Sequence, residues 1–482
     1  MGAIKVERDS FSILGVISVT TLASFLTGLN ARLAVVGLPV IAHELGADID
    51  TILWIVQGFM LGSTIIQLIV GRLSDLFGRV KLFNLGFLVF ITAAVIAGFS
   101  PNPFILVLAR IIQGMGGAFL MTLSVTILTD NVPKNSLGTW LGINQVAWRV
   151  GAVVGLSLSG VIIDYLGWRW IYLFYVPLGF GFYLWSARTL KEVYKPTEKP
   201  NLDKVGFTLF TGFLSLILIA LSLFTFGTAY LTLASILLFS SIMFLVSFVF
   251  WENRIPWPAL DLSLFKIWPF SGGIISQFLY SIGFGASTTL LVLYLEVVKG
   301  LSATLTGFLL IPFELSYLIF GVLGGRLSDK YGYVPVASSG LLASAIAFYG
   351  LSTVTPESNL NFVMLCEILF GFGAGLFIAP NTSSIMSSVP LSKRGVASAL
   401  RAISFNIGFV LSLNVAIISM VQFIPYDVAS KLITAEGFIT NSGGYSLADL
   451  SNALTKSFAI QAIAMASAIP FTLTRNVRKK SF

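Results

Sequence analysis

Six ionisable side chains stand where an ionisable group costs most. Arg32, Arg110, Arg149 and Arg401, with Glu314 and Glu367, all lie inside long apolar runs. Taking a charge to membrane depth costs a few kcal/mol on insertion scales, so such groups mark places where a chain handles charge. Glu314 occupies the middle of Ile311-Pro312-Phe313-Glu314-Leu315-Ser316. A carboxyl group kept from water there can take up and release a proton, or it can neutralise a buried arginine. Glu367 is a second candidate for proton movement, with a structural ion pair as its alternative. Arg149 stands among Asn144, Gln145 and Trp148, and Arg32 follows Asn30. Guanidinium groups facing one cavity suit an anionic ligand through paired hydrogen bonds. The alternative is ion pairing, Arg32 with Glu44 or Asp48 and Arg149 with Glu314. Gln57, Gln277, Asn381 and Asn406 are neutral polar residues in apolar surroundings. With Asn30, Asn144 and Gln145 they fit either the wall of a binding site or contacts between helices.

No catalytic constellation accompanies these groups. One histidine, His43, and one cysteine, Cys366, leave no His-based zinc cluster, no Cys/His pair and no intrachain disulfide. A phosphate-cradling GxxxxGK[ST] loop is absent from the sequence, so nucleotide-driven work is not expected. No cofactor or metal is implied, and an enzyme is not expected.

The elements that must position the six charges are long and apolar. Of 482 residues, 56% are hydrophobic and 10% charged, against about 25% charged in soluble domains. Breaks between the apolar runs predict fourteen membrane helices, at roughly 12–41, 51–71, 80–98, 104–128, 137–163, 169–189, 205–226, 230–250, 269–295, 304–325, 335–354, 361–386, 394–422 and 454–474. The expected fold class is an all-α polytopic membrane protein. With the N-terminus inside, 21 of the 29 Lys and Arg residues fall in cytoplasmic segments, 4 in outer loops and 4 within the membrane. That bias predicts both termini in the cytoplasm. It also explains the net charge of +8, so no nucleic-acid partner is expected. The first ten residues mix both charge signs and predict no cleavable signal.

A polar octapeptide recurs at half-chain distance. Gly71-Arg72-Leu73-Ser74-Asp75-Leu76-Phe77-Gly78 returns as Gly325-Arg326-Leu327-Ser328-Asp329-Lys330-Tyr331-Gly332, 254 residues later. The stretches from Arg110 to Gly116 and from Glu367 to Gly373 align at an offset of 257, as do Gly138–Gly151 and Gly395–Gly408. Two related six-helix halves are therefore expected, residues 1–190 and 269–482. Residues 191–268 form a basic linker with two helices that have no repeat mate. Gly71, Gly78, Gly325 and Gly332 allow close approach and positive φ. Asp75 and Asp329 can accept from free N–H groups at a neighbouring helix N-terminus. Arg72 and Arg79 are placed to pair with carboxylates or lipid phosphate, and Arg326 is the matching residue of the second copy.

These residues resemble the major facilitator superfamily, and the fourteen-helix plan resembles its drug:proton antiporter branch. GRLSDLFGRVK is similar to the superfamily's loop between helices 2 and 3, and Arg110-Ile-Ile-Gln-Gly114 to its helix 4 motif. The resemblance implies that the loop latches the two halves in one conformation and that Arg110 is linked to proton movement. Two departures stand out: Asn30 where the branch commonly has an aspartate, and Gly151-Ala-Val-Val-Gly155-Leu156 without the branch's proline. The expectation is a monomeric cell-membrane transporter of a small organic solute, proton-coupled and exporting, embedded in membrane lipid. Uptake or exchange of an organic anion is the alternative; a ligand-binding receptor without turnover is the alternative of another class.

Overall fold

The computed structural model describes residues 10–47, 49–193, 201–434 and 446–477, and within them leaves the side chains of 10–12, 32–36, 39, 49, 50, 52, 53, 303, 304, 434, 476 and 477 undescribed. The expectations for Arg32, for its pairing with Asp48 and for residues 194–200 of the linker fall outside the described residues.

Thirteen helices among the described residues are long and apolar enough to cross a membrane. Five of them serve the first half, α1 (Ser10–Val36), α2 (Ile49–Phe77), α3 (Arg79–Gly98), α4 (Pro103–Asn131) and α5 (Leu137–Leu166), and a sixth helix outside the thirteen, α6 (Tyr175–Thr189), completes it. The last is short because a single turn, Trp170–Leu173, precedes it. Pro177 has no N–H to give the Leu173 carbonyl, so the ladder is cut there; counting this run restores fourteen. The remaining spans are α7 (Lys204–Phe224), α8 (Leu231–Glu252), α9 (Trp268–Phe284), α10 (Ala303–Tyr331), α11 (Tyr333–Leu351), α12 (Leu360–Ser387), α13 (Arg394–Met420) and α14 (Leu447–Leu473). The ninth run continues past α9 through Ser287–Leu293 and a π-turn at Tyr294–Val298.

The chain divides into two compact units. One comprises 1–200 together with Pro390–Ala399; the other comprises 201–389 and 400–482. In the first, α1 packs on α5, α2 on α4 and α3 on α4; in the second, α10 packs on α12, α11 on α12 and α9 on α14.

Glycines set these contacts, and the repeat is visible in them. A Cβ on Gly114 would lie 2.0 Å from the Phe59 carbonyl oxygen, and one on Gly371 would lie 2.4 Å from that of Phe313. Gly116 meets the Phe90 nitrogen at 2.6 Å, and Gly373 the Ser344 nitrogen at 2.7 Å. Gly151 meets the Phe25 oxygen at 2.2 Å, and Gly408 the Phe278 oxygen at 2.8 Å. Partners and glycines alike are repeat mates. Lipid gives helices no hydrophobic reason to associate, so backbone-to-backbone approach at small residues does that work.

Helices α7 and α8 pack on each other, with Phe210 and Phe248 at a ring separation of 4.9 Å. Their connecting turn is clasped by the short helix Tyr426–Thr434: Thr228 donates its N–H and hydroxyl to Asp427, at 2.7 and 2.9 Å, and Ser430 donates to the Thr225 carbonyl. These two bonds from Thr228 hold the Asp427 carboxyl below the usual carboxylate range.

Candidate functional site

In the first unit, α2 ends in the first copy of the octapeptide. Gly78 sits at φ +99°, a value glycine alone adopts readily, and this lets the chain turn straight into α3. Asp75, on the last turn of α2, is 3% exposed. It accepts from the backbone N–H of Gly395 at 3.0 Å, from that of Val396 at 3.2 Å, and from the Arg79 guanidinium at 3.1 Å. The first N–H groups of α13 have no partners within their own helix, and a carboxylate there also meets the positive end of the helix dipole. Gly71 and Gly395 make the approach possible: a Cβ on Gly395 would lie 2.3 Å from the Gly71 oxygen.

Arg79 is nearly sealed from solvent, at 1% exposure. Besides Asp75 it pairs with Asp130 at the end of α4, and it donates to the Leu391 carbonyl at 2.6 Å. Asp130 also holds Arg394 at 2.9 Å. Two carboxylates and two guanidiniums thus alternate in one buried set, the arrangement that offsets desolvation. Of the two partners expected for Arg79, carboxylates or lipid phosphate, the buried side chain has carboxylates; Arg72 is half-buried. Three members were missed in the sequence. Asp130 and Arg394 are 264 positions apart, and nothing local marks either. Glu192 lay in what read as a basic linker, yet it caps α3 by accepting from the N–H groups of Arg79 and Val80, each at 2.9 Å.

The second octapeptide lies in the other unit. Gly332 repeats the positive φ, at +86°, and Ser328 bonds back to Gly325 at 2.8 Å as Ser74 does to Gly71 at 2.7 Å. Arg326 is exposed and Asp329 half-buried, so this copy shares the turn of the first without its enclosure.

Deeper in the first unit, Arg110 on α4 donates to Asn30 Oδ1 at 2.8 Å, to Gln113 Oε1 at 2.6 Å and to the Ile55 carbonyl at 3.1 Å. Its guanidinium lies over the rings of Phe59 and Tyr172. Asn30 therefore reaches arginine from the position where an aspartate was expected, and it is fully buried. Asn144 ties three helices: it donates to the Thr20 carbonyl and Ser124, and accepts from Ser24 at 2.9 Å. Gln145, Arg149 and Gln57 complete this half's polar set. Arg149 is 8% exposed, with its guanidinium 5.7 Å from the Trp148 ring centre. Glu44 is taken by Trp168 and Arg169. Trp168 is buried at 1% exposure, its ring packed edge-on against Tyr172.

In the second unit, α10 and α12 bring Glu314 and Glu367 close enough for their charges to interact. Ser316 donates to the Ile368 carbonyl at 2.7 Å and fixes the helix register beside them. Glu367 is 3% exposed. On the same two helices Phe313 and Phe370 stack at 4.8 Å, with Phe284 at 5.8 Å from Phe370. Asn381 donates to Gln277 at 3.1 Å and to the Gly273 carbonyl at 3.2 Å, joining α12 to α9. Asn406 lies half-buried on α13. Cys366 is buried, as a packing residue would be.

Comparison with known proteins agrees with this architecture. A family model described as Major Facilitator Superfamily matches residues 20–270 and 273–427. The chain is 27% identical over 434 residues to the riboflavin transporter RibZ of Clostridioides difficile strain 630, covering 90% of this chain and 94% of that protein. It is 27% identical over 396 residues to the multidrug transporter protein MdtP of Bacillus subtilis strain 168, covering 82% and 72%. Among solved structures, the proton:xylose symporter XylE superposes with a TM-score of 0.66 at 16% identity, covering 97% of this chain and 96% of the other. The repeated octapeptide, the fourteen helices and the matched model agree: this multi-pass membrane protein belongs to the Major Facilitator Superfamily of transporters, and is not an enzyme.

Proposed function

We propose that the chain is a secondary active transporter of a small organic solute, coupled to protons and running as an exporter of the fourteen-helix drug:proton antiporter kind. The observation that carries the coupling is the approach of Glu314 and Glu367 where α10 and α12 meet at Gly371 and Ser316. Two carboxyl groups close together in a dry site resist carrying two negative charges, so protonation of one is linked to the state of the other. Substrate or helix movement that wets or separates the pair changes proton occupancy, which is the linkage an antiporter needs. Gln57, Gln145, Arg149 and Asn406 are the proposed solute-facing polar groups. Arg110, held by Asn30, positions the first unit's charge, while Gln277 and Asn144 serve α9 and α5 as ties. The halves 1–190 and 269–482 would alternate in access, and release of the 390–399 segment from Asp75 would mark one end of the cycle. Likeness to a multidrug transporter favours export; monomeric action with both termini cytoplasmic completes the reading.

A second reading, exchange or uptake of an organic anion, is favoured by Arg149 and by the neutral Asn30. One experiment separates them. Proteoliposomes with an internal pH dye receive pooled lipophilic cations, then pooled organic anions. Proton movement with cations, abolished by Glu314→Gln, is the expected result. Movement with anions alone, lost in Arg149→Ala, overturns export in favour of the second reading. Binding with no gradient-driven flux of either pool would place the chain with receptors.

A further inference from the structure

The pair α7–α8 carries a feature that solute transport does not use. Helix α8 is largely uncovered: only 17% of its membrane window is buried. Where its C-terminal end meets the start of α7, a groove of about 530 Å³ opens between Leu209 on one side and Ser247, Phe250, Trp251, Arg254 and Ile255 on the other. Its walls are apolar and aromatic, and its volume is that of a small-molecule site. Trp251 is fixed as a wall because its indole N–H donates to Asp203 Oδ1 at 2.9 Å. Asp203 itself caps α7 through Gly206 at 2.8 Å, and Glu252 turns inward to the Leu260 N–H. Both neighbouring carboxylates are buried, at 4% and 5% exposure. Arg254, by contrast, is exposed at the mouth and has no carboxylate partner among the described residues. The groove therefore offers one free cation over an apolar trough.

We propose that this groove binds one anionic phospholipid, its phosphate on Arg254 and an acyl chain along Leu209, Ile255 and Phe250. Charge complementarity selects that occupant: one exposed cation stands over apolar walls, as a lipid phosphate stands over its acyl chains. Lys204 and Lys266 at the same end put the site in the leaflet that the charge bias assigns to the cytoplasm. A zwitterionic lipid fills the trough equally well but gains less at Arg254. The lipid would brace the two helices that have no repeat mate. The proposal stands apart from the transport reading.

Native mass spectrometry of the full-length protein in detergent tests it, with phosphatidylglycerol and phosphatidylcholine of identical chains added in equal amounts. Wild type should retain phosphatidylglycerol in preference. One interfacial arginine corresponds to roughly a fivefold preference, so Arg254→Ala should cut the preference about fivefold while the melting curve stays unchanged. Ser247→Trp should lower retention of both lipids, and Lys330→Ala, in the other basic segment of this unit, should change neither. Equal retention of the two lipids by wild type overturns the proposal. So does an Arg254→Ala protein that keeps its preference, or a Lys330→Ala protein that loses as much.

Discussion

Adding one methyl group at Gly395 should release the first helical turn of α13 from Asp75. A Cβ there lies 2.3 Å from both the Gly71 carbonyl oxygen and Ser74 Oγ, where carbon and oxygen ordinarily stay at about 3.3 Å or more. The Gly71 oxygen is backbone and cannot swing aside, so the segment must retreat by ~1 Å. That takes the Asp75 contacts to Gly395 and Val396 from 3.0 and 3.2 Å to roughly 4 Å, beyond hydrogen bonding. Each bond to a charged acceptor contributes about 1.5–3 kcal/mol. Because the site lies at a helix end where water can enter, the lower figure applies, and the pair together is worth ~3 kcal/mol, or about two orders of magnitude in the opening equilibrium. Hydrogen exchange of the Gly395 and Val396 amides in nanodiscs measures this directly. Exchange should rise about a hundredfold in Gly395→Ala. Gly181→Ala, where an added Cβ meets nothing within 4 Å, serves as the control. Unchanged protection in Gly395→Ala, or an equal loss in the control, would refute the account of Asp75 as the holder of this helix start.

Two further outcomes follow from the same geometry. Asn144→Leu removes the donor to Thr20 and Ser124 and the acceptor for Ser24, leaving buried polar groups short of partners at ~1–3 kcal/mol each; the melting temperature should fall by several degrees, whereas Gly181→Ala should not move it. For Asp427, whose folded pKa is depressed by the Thr228 bonds, the contribution is fully present above the ordinary carboxylate pKa of about 3.9 and is lost as pH falls through the lower folded value. Exchange at the Thr228 amide, once corrected for its intrinsic pH dependence, should therefore be flat from neutral pH to about 5 and rise only below about 4, and Asp427→Asn should lose that acid-side rise.

How much of the site could be read in advance depends on how far each contact reaches along the chain. Asp75 was legible because its octapeptide occurs twice and ends an apolar run. The partner N–H groups at Gly395 and Val396 were not, because any helix start offers the same donors. Glu314 was found by its cost in an apolar run. Its closeness to Glu367 was hidden, since α10 and α12 pack through Gly371 and Ser316, whose own sequence context names no partner. Asn144 read equally as part of a binding wall or as a contact between helices, because an amide in an apolar run looks the same in either role; only the structure shows its bonds across α1, α4 and α5.

Composition and period were enough by themselves to mark this chain as a polytopic helical membrane protein of about fourteen apolar spans. A membrane core offers the backbone no water to bond, so apolar runs of this length close their hydrogen bonds within helices and dictate the spans. Tertiary structure decided which buried charges are satisfied. Asp130, Arg394 and Glu192 joined Asp75 and Arg79 only when helix ends far apart in sequence met. Desolvation makes such partners obligatory without stating which they are, and that choice lies in packing between helices rather than in the pattern of any one of them.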